Sequence, residues 1–210
     1  MAKTKFEYQS ELVWSASAYA FKMNPEYMNT NSGKDKTTNK QIMLMAIDDT
    51  DLISDQDREM GAKMRKHFQA YIFKITKGQQ LNDFANNAML FANRDTITSA
   101  LEIGTIAYLP YLYTKESKQA EIQNRISFAG GGFIGTPGSE ISIEIEIVKS
   151  VYSAKWDTNY ITGFTESDSV VFFPYKKTLL EIGSKVKING LIKNHSNDNN
   201  TTLLNRVKVI

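Results

Sequence analysis

The chain has no cysteine, two histidines and four prolines among its 210 residues. Without cysteine there is no disulfide, no thiolate nucleophile and no cysteine-ligated metal, a composition that suits the cytoplasm. His67 lies within a helical pattern and His195 in a polar turn, and neither has an identifiable partner of triad type. Charge of one sign is also missing: 25 Lys and Arg against 23 Asp and Glu leave only +2. Bulk charge therefore neither demands nor excludes a polyanionic partner, and any electrostatic argument is local. No apolar run approaches the ~20 residues of a membrane span. The opening Met1–Glu7 carries no apolar segment of secretory type. These absences predict a cytoplasmic protein with no membrane association.

What the chain contains is enough for a packed core, with 41% hydrophobic and 11% aromatic residues. It changes character near residue 118. Tyr8 to Met23 reads as a helix, with Leu12, Ala16, Tyr19 and Met23 on one face and Asn24–Pro25 as its stop. The polar run Asn29–Lys36 reads as a mobile loop. Ile42 to Ile47 is a short apolar run of undecided type. Ser54, followed by Asp57, marks the N-cap of the strongest helix. Met60, Met64, Phe68, Tyr71, Ile72 and Ile75 then recur at helical spacing, and Gly78 closes the run. Further helices fit Leu81 to Asn93 and Thr98 to about Leu109, the second broken by Pro110.

From Gly130 the pattern becomes strand-like. Gly130–Gly132 is followed by a strand and by no Gly-Lys-Ser/Thr, so it reads as a flexible junction between the halves and not as a phosphate loop. Ile141, Ile143, Ile145 and Ile147 alternate with Ser142, Glu144 and Glu146, which predicts one buried and one solvated face. Four more strands fit Asn159–Phe164, Ser169–Phe173, Lys185–Lys193 and Thr201–Val209, separated by Gly, Asn and Ser turns. Short strands with short connections predict a small barrel. The expected fold is α+β: a helical domain over residues 1–118, then a five-stranded OB-type β-barrel over 119–210.

A resemblance supports that reading. Gly135–Glu140, Tyr160–Phe164, Val170–Phe173, Glu181–Gly190, Ile192–His195 and Thr202–Val209 follow one another in an order similar to an OB-type module of bacteriophage single-stranded-DNA-binding-like replication proteins. The resemblance covers only the C-terminal third. It implies non-catalytic binding of single-stranded DNA during phage DNA replication or recombination, with other phage replication or recombination proteins as possible partners, inside the host cytoplasm. Bacterial single-strand-binding proteins typically end in an acidic tail that recruits partners. Here the sequence reads Lys208-Val209-Ile210, so recruitment through such a tail is not expected.

OB barrels hold single strands with a basic groove for phosphates and aromatic rings for bases. Residues 171–210 carry seven basic and two acidic side chains, a local excess of +5. On the strand Lys185–Ile188, Val186 and Ile188 should point inward and Lys185 and Lys187 outward. Val207 and Val209 inward would leave Arg206 and Lys208 outward, so that four cations share a surface if the strands are neighbours. The expected nucleic-acid contacts are Lys155, Trp156, Tyr160, Tyr175, Lys176, Lys177, Lys185, Lys187, Lys193, His195, Arg206 and Lys208. Trp156 and Tyr160 are the leading stackers, with Tyr175 third.

No catalytic residue, metal or cofactor is expected. Asp48, Asp49, Asp51, Asp55 and Asp57 crowd a helix N-terminus, where acids are favoured without any metal. Glu140, Glu144 and Glu146 fit a solvated face. A rival reading is a protein-interaction adaptor that docks on a replication enzyme or host factor without touching nucleic acid, because the barrel alone does not choose between these roles.

Overall fold

The computed structural model describes residues 6–29, 37–177 and 180–210, apart from the side chain of Asn199. Thr30–Lys36, most of the polar run expected as a loop, and Met1–Lys5 of the opening segment lie outside the described residues. The chain divides into two compact units, Met1–Ser117 and Lys118–Ile210.

The first unit is helical. A two-residue strand β1 (Tyr8–Gln9) leads into α1 (Ser10–Met23), followed by α2 (Asn39–Asp48), α3 (Asp55–Gln69), the short α4 (Ile72–Thr76) and α5 (Asp83–Ala92). A second short strand, β2 (Thr96–Ile97), pairs antiparallel with β1 and precedes α6 (Ala100–Ser127), within which the division between units falls. The undecided run Ile42–Ile47 is helical. Its start is fixed by a capping box in which Thr38 accepts from the Gln41 amide and the Gln41 side chain accepts from the Thr38 amide.

Ser54 caps α3 in the same reciprocal way, with Asp57 in the place usually taken by Glu or Gln. Asp57 is buried, and Lys22 Nζ donates to both of its carboxylate oxygens at 2.9 and 2.7 Å. At the start of α6, the Thr98 and Ser99 amides donate to the buried Glu102 carboxylate, which also pairs with Arg94.

Three helical expectations are corrected. The buried face of α1 carries Val13, Trp14, Ala16, Ser17 and Ala20, while Met23 is exposed, so the true stripe is rotated from the expected one. Gly61 explains the close approach of α3 to this face, because a Cβ there would stand 2.8 Å from the Ser15 nitrogen and the Trp14 carbonyl carbon. The long Ser54–Gly78 run is two helices that break at Ala70–Tyr71; Met64, Phe68 and Tyr71 are buried, but Met60, Ile72 and Ile75 are exposed.

Pro110 does not end α6. A proline removes one backbone donor, the one that would reach the Ile106 carbonyl, yet the helix runs through it with Ile106, Ala107 and Leu109 buried, and one turn on Thr114 Oγ1 donates to the Pro110 carbonyl at 3.0 Å.

The second unit is a closed barrel of β3 (Glu140–Ser153), β4 (Thr158–Phe164), β5 (Val170–Tyr175), β6 (Lys185–Ser196) and β7 (Thr201–Val209). The strand order is β3-β4-β5-β7-β6, with β6 returning to β3. All pairs are antiparallel except β5 with β7. A five-stranded barrel of this order is OB-like, as expected.

Ile145, Ile147, Ile161, Val171, Phe173, Ile188, Ile192 and Leu204 fill the interior. Register shifts place an extra residue on β3 between Ile147 and Lys149, on β7 opposite Gly190 and on β6 between Ile192 and Asn194, each bending the ladder. Val148, bulged out of register, joins Phe164 and Val170 with Ile122 and Ile126 of α6 in a second apolar cluster.

Gly131 belongs to this unit and is not a free junction. Its carbonyl accepts from Ser169 Oγ at 2.8 Å, and a Cβ would lie 2.3 Å from both the Ser167 oxygen and the Ser169 nitrogen.

Candidate nucleic-acid interface

The β4–β5 wall is built by alternation. Ile161 and Gly163 on β4 and Phe173 on β5 are buried inward, so Tyr160, Thr162, Phe172 and Pro174 turn outward. Tyr160 stands opposite Pro174 and Thr162 opposite Phe172. The diagonal pair Tyr160 and Phe172 stacks with ring centroids 5.8 Å apart and planes 9° from parallel. Such a diagonal lies within reach of aromatic rings across an antiparallel ladder. β3 extends the same face with Lys149 opposite Thr162 and Val151 opposite Tyr160, and β7 adds Leu203 beside Phe172.

The β3–β4 hairpin projects from one end of this wall. Trp156 is 59% exposed, although two bonds hold its backbone and a third ties its neighbour Asp157. Its amide donates to Ser153 at 3.2 Å, its carbonyl accepts from Thr158 Oγ1 at 2.8 Å, and Tyr152 OH donates to Asp157 at 2.8 Å. Asp157 takes the left-handed conformation that closes the turn, with φ 44°. The Asp157 carboxylate also raises the pKa of the Tyr152 phenol, so that hydroxyl stays a donor at neutral pH. Lys155 Nζ lies 5.1 Å from the Trp156 ring centroid. A fixed, uncovered indole beside a cation can stack a base and meet its phosphate.

The structure groups some of the expected residues and separates others. Lys155, Trp156 and Tyr160 share the hairpin and the wall. Lys176 and Lys177 follow β5 directly; because Tyr175 pairs with Asn159, they emerge at the hairpin end, exposed. Tyr175 itself is no stacker: it is 7% exposed and meets Phe173 edge-on inside the barrel. An odd position on β5 shares the inward parity of Phe173, which is the physical reason.

Lys185 and Lys187 do point outward, with Val186 and Ile188 turned in, as expected. β6 pairs with β3, however, and places Lys185 opposite Glu146 and Lys187 opposite Glu144. Glu146 also accepts from Arg125 at 3.0 Å. The solvated glutamate face and the basic strand are thus one mixed-charge wall.

Arg206 and Lys208 are exposed on β7 and border a concavity of about 570 Å³ with Glu140, Ser142 and Asn189. Arg206 has φ 53°, at the bulge where β7 carries an extra residue opposite Gly190. Val209 pairs with the buried Ile188 and so shares its inward side, as expected, but is 37% exposed and adds nothing to the buried core. Lys193 is the extra residue of the β6 bulge between Ile192 and Asn194 and is exposed. His195 is taken up internally, its ring stacked 4.4 Å from Phe133 and its Nε2 3.2 Å from the Ile134 carbonyl.

Phe172 and Lys149 were not among the expected site residues. Strand parity was the available signal for Phe172, since only one of the adjacent Phe172 and Phe173 can face the core. Lys149 carried no such signal, because the Val148 bulge that turns it to this wall depends on the partner strand. Among the described residues no group of three or more His, Asp or Glu is placed to hold a metal ion, and no helix is long and apolar enough to cross a membrane. No family model, curated protein or solved structure matches the chain.

Proposed function

We propose that the barrel binds single-stranded DNA without catalysing its reaction, using the β4–β5 wall as a stacking platform and the hairpin-end lysines for phosphates. One observation carries this reading: the outward, near-parallel Tyr160–Phe172 pair on a wall whose hairpin carries the exposed Trp156. The corresponding wall, between strands 2 and 3, is the one on which OB barrels receive oligonucleotides. An exposed indole on the hairpin and two half-buried, outward rings on the wall offer faces on which unstacked bases can stack. A role in phage DNA replication or recombination rests on the resemblance of residues 135–209 alone.

The test is fluorescence anisotropy with a labelled oligo-dT at low and moderate salt. Salt-sensitive binding that Trp156→Ala and Tyr160→Ala each weaken is the expected result. Absence of binding at low salt overturns the proposal, and stronger competition by oligo-U than by oligo-dT would reassign the strand to RNA.

A further inference from the structure

The helical unit holds a concavity of about 560 Å³ with a different chemistry. Arg58, Ala62, Arg65, Lys66 and Gln69 recur along one stripe of α3, and α1 supplies Glu11 and Trp14. Spacings of four, three, one and three keep these α3 positions on one face. The small Ala62 at the centre of the stripe leaves the hollow that a longer side chain would fill.

Three cations meet one acid there. Neither Arg58 nor Lys66 has an ion-pair partner among the described residues. Arg65 is mostly buried, its side chain 18% exposed, and its guanidinium is aimed by backbone carbonyls: Nε donates to Ala92 and Nη2 to Arg94, both at 2.9 Å. The nearest carboxylate, the fully exposed Asp95, is 3.8 Å away. Arg65 Nη1 has no partner among the described residues. The floor is Trp14, wholly buried, whose indole Nε1 has no acceptor.

Two backbone carbonyls aim the guanidinium, its carboxylate partner Asp95 is fully exposed at 3.8 Å, and its planar fork suits the oxygens of a phosphoryl group. With Asp95 counted against Arg65 the site keeps a formal excess of one positive charge, which suits a phosphoryl anion, and its volume falls in the range of small-ligand sites.

We infer that this α1–α3 concavity binds a phosphoryl group, carried either by a free nucleotide or by a nucleic-acid strand. The inference does not depend on the barrel wall, because none of its residues belongs to the second unit. Isothermal titration calorimetry of the full chain at low salt, with pyrophosphate, dTMP and oligo-dT as probes, tests it. Arg58 and Lys66 are exposed, so Arg58→Glu and Lys66→Glu should fold as the parent does, and Ala62→Leu fills the hollow without changing charge.

Saturable binding of pyrophosphate or dTMP, weakened by about tenfold or more by each charge reversal and by Ala62→Leu, assigns a free phosphorylated ligand. Failure of the small probes, together with a comparable loss of oligo-dT affinity in the same variants, assigns a strand backbone. The inference is overturned if the small probes do not bind and oligo-dT affinity is unchanged by the reversals. Small-probe binding indifferent to all three substitutions overturns it equally. Trp156→Ala, run alongside, reports on the barrel and should leave small-probe binding unchanged.

Discussion

Replacing Tyr160 by alanine removes half of the outward aromatic pair and leaves the barrel interior untouched, because the alternating neighbours Ile161 and Phe173 hold the core. Stacking one base is worth about 1–3 kcal/mol, so oligo-dT affinity should fall roughly 5- to 150-fold at about 1.4 kcal/mol per decade. Phe172→Ala should cost a similar amount. The double variant should cost less than the two combined, since rings 5.8 Å apart form one platform.

The electrostatic part separates from this by its salt dependence. Lys149, Lys155, Lys176 and Lys177 are the cations that register and chain connection bring to the wall or its hairpin end. At about −0.7 per neutralised phosphate they allow a slope near −2.8, or about a fiftyfold loss of affinity between ~50 and ~200 mM salt. Adding the β6 and β7 cations would push the same loss beyond about a thousandfold. Anisotropy across that salt range should therefore show the shallow slope. Lys155→Ala should flatten it by about 0.7, and Lys187→Ala, which faces Glu144, should leave it unchanged. A steep slope that flattens on loss of Lys187 and not of Lys155 refutes the assignment of the wall, as does full affinity in Tyr160→Ala.

Gly131→Ala should destabilise the barrel unit by about 2 kcal/mol or more, because its Cβ would meet backbone atoms of Ser167 and Ser169 that cannot rotate away; thermal unfolding followed by circular dichroism checks this, and an unchanged midpoint contradicts the packing described. In the helical unit, His67 Nε2 lies 2.9 Å from Glu116 and holds its carboxyl below the ordinary value, with the Tyr71 hydroxyl and Lys74 acting in the same direction against burial. A depressed carboxylate contributes stability that is present above its unfolded pKa and is lost as pH falls through the lower folded value. The melting temperature should therefore drop on acidification below about pH 4.3, less steeply in Glu116→Gln; equal slopes in parent and variant would exclude this contribution.

Much of the barrel was legible because alternation is a local signal. Val186 and Ile188 had to turn in if Lys185 and Lys187 turned out, and the structure agrees. Helix caps were local too, as Ser54 with Asp57 shows, although the partner that makes Asp57 worth burying, Lys22, lies 35 residues away. The misses share a cause: each depends on a contact distant in sequence. Pro110 reads as a breaker until the packing of Ile106, Ala107 and Leu109 is known. Likewise Met60 and Ile75 read as core on a wheel that cannot show where α3 stops and Gly61 meets α1.

The same limit decides where function is sought. The +5 of residues 171–210 suggested a basic groove on β6 and β7, but charge along a strand says nothing about charge across it. Once β3 sets Glu144 and Glu146 against Lys187 and Lys185, each of those lysines faces a carboxylate across the ladder before any phosphate arrives. The Val148 bulge, invisible in the alternation of isoleucines, meanwhile turns Lys149 toward the rings of β4 and β5. The proposed binding by a near-neutral barrel therefore runs through bases more than through phosphates. That asymmetry is a property of register and not of composition.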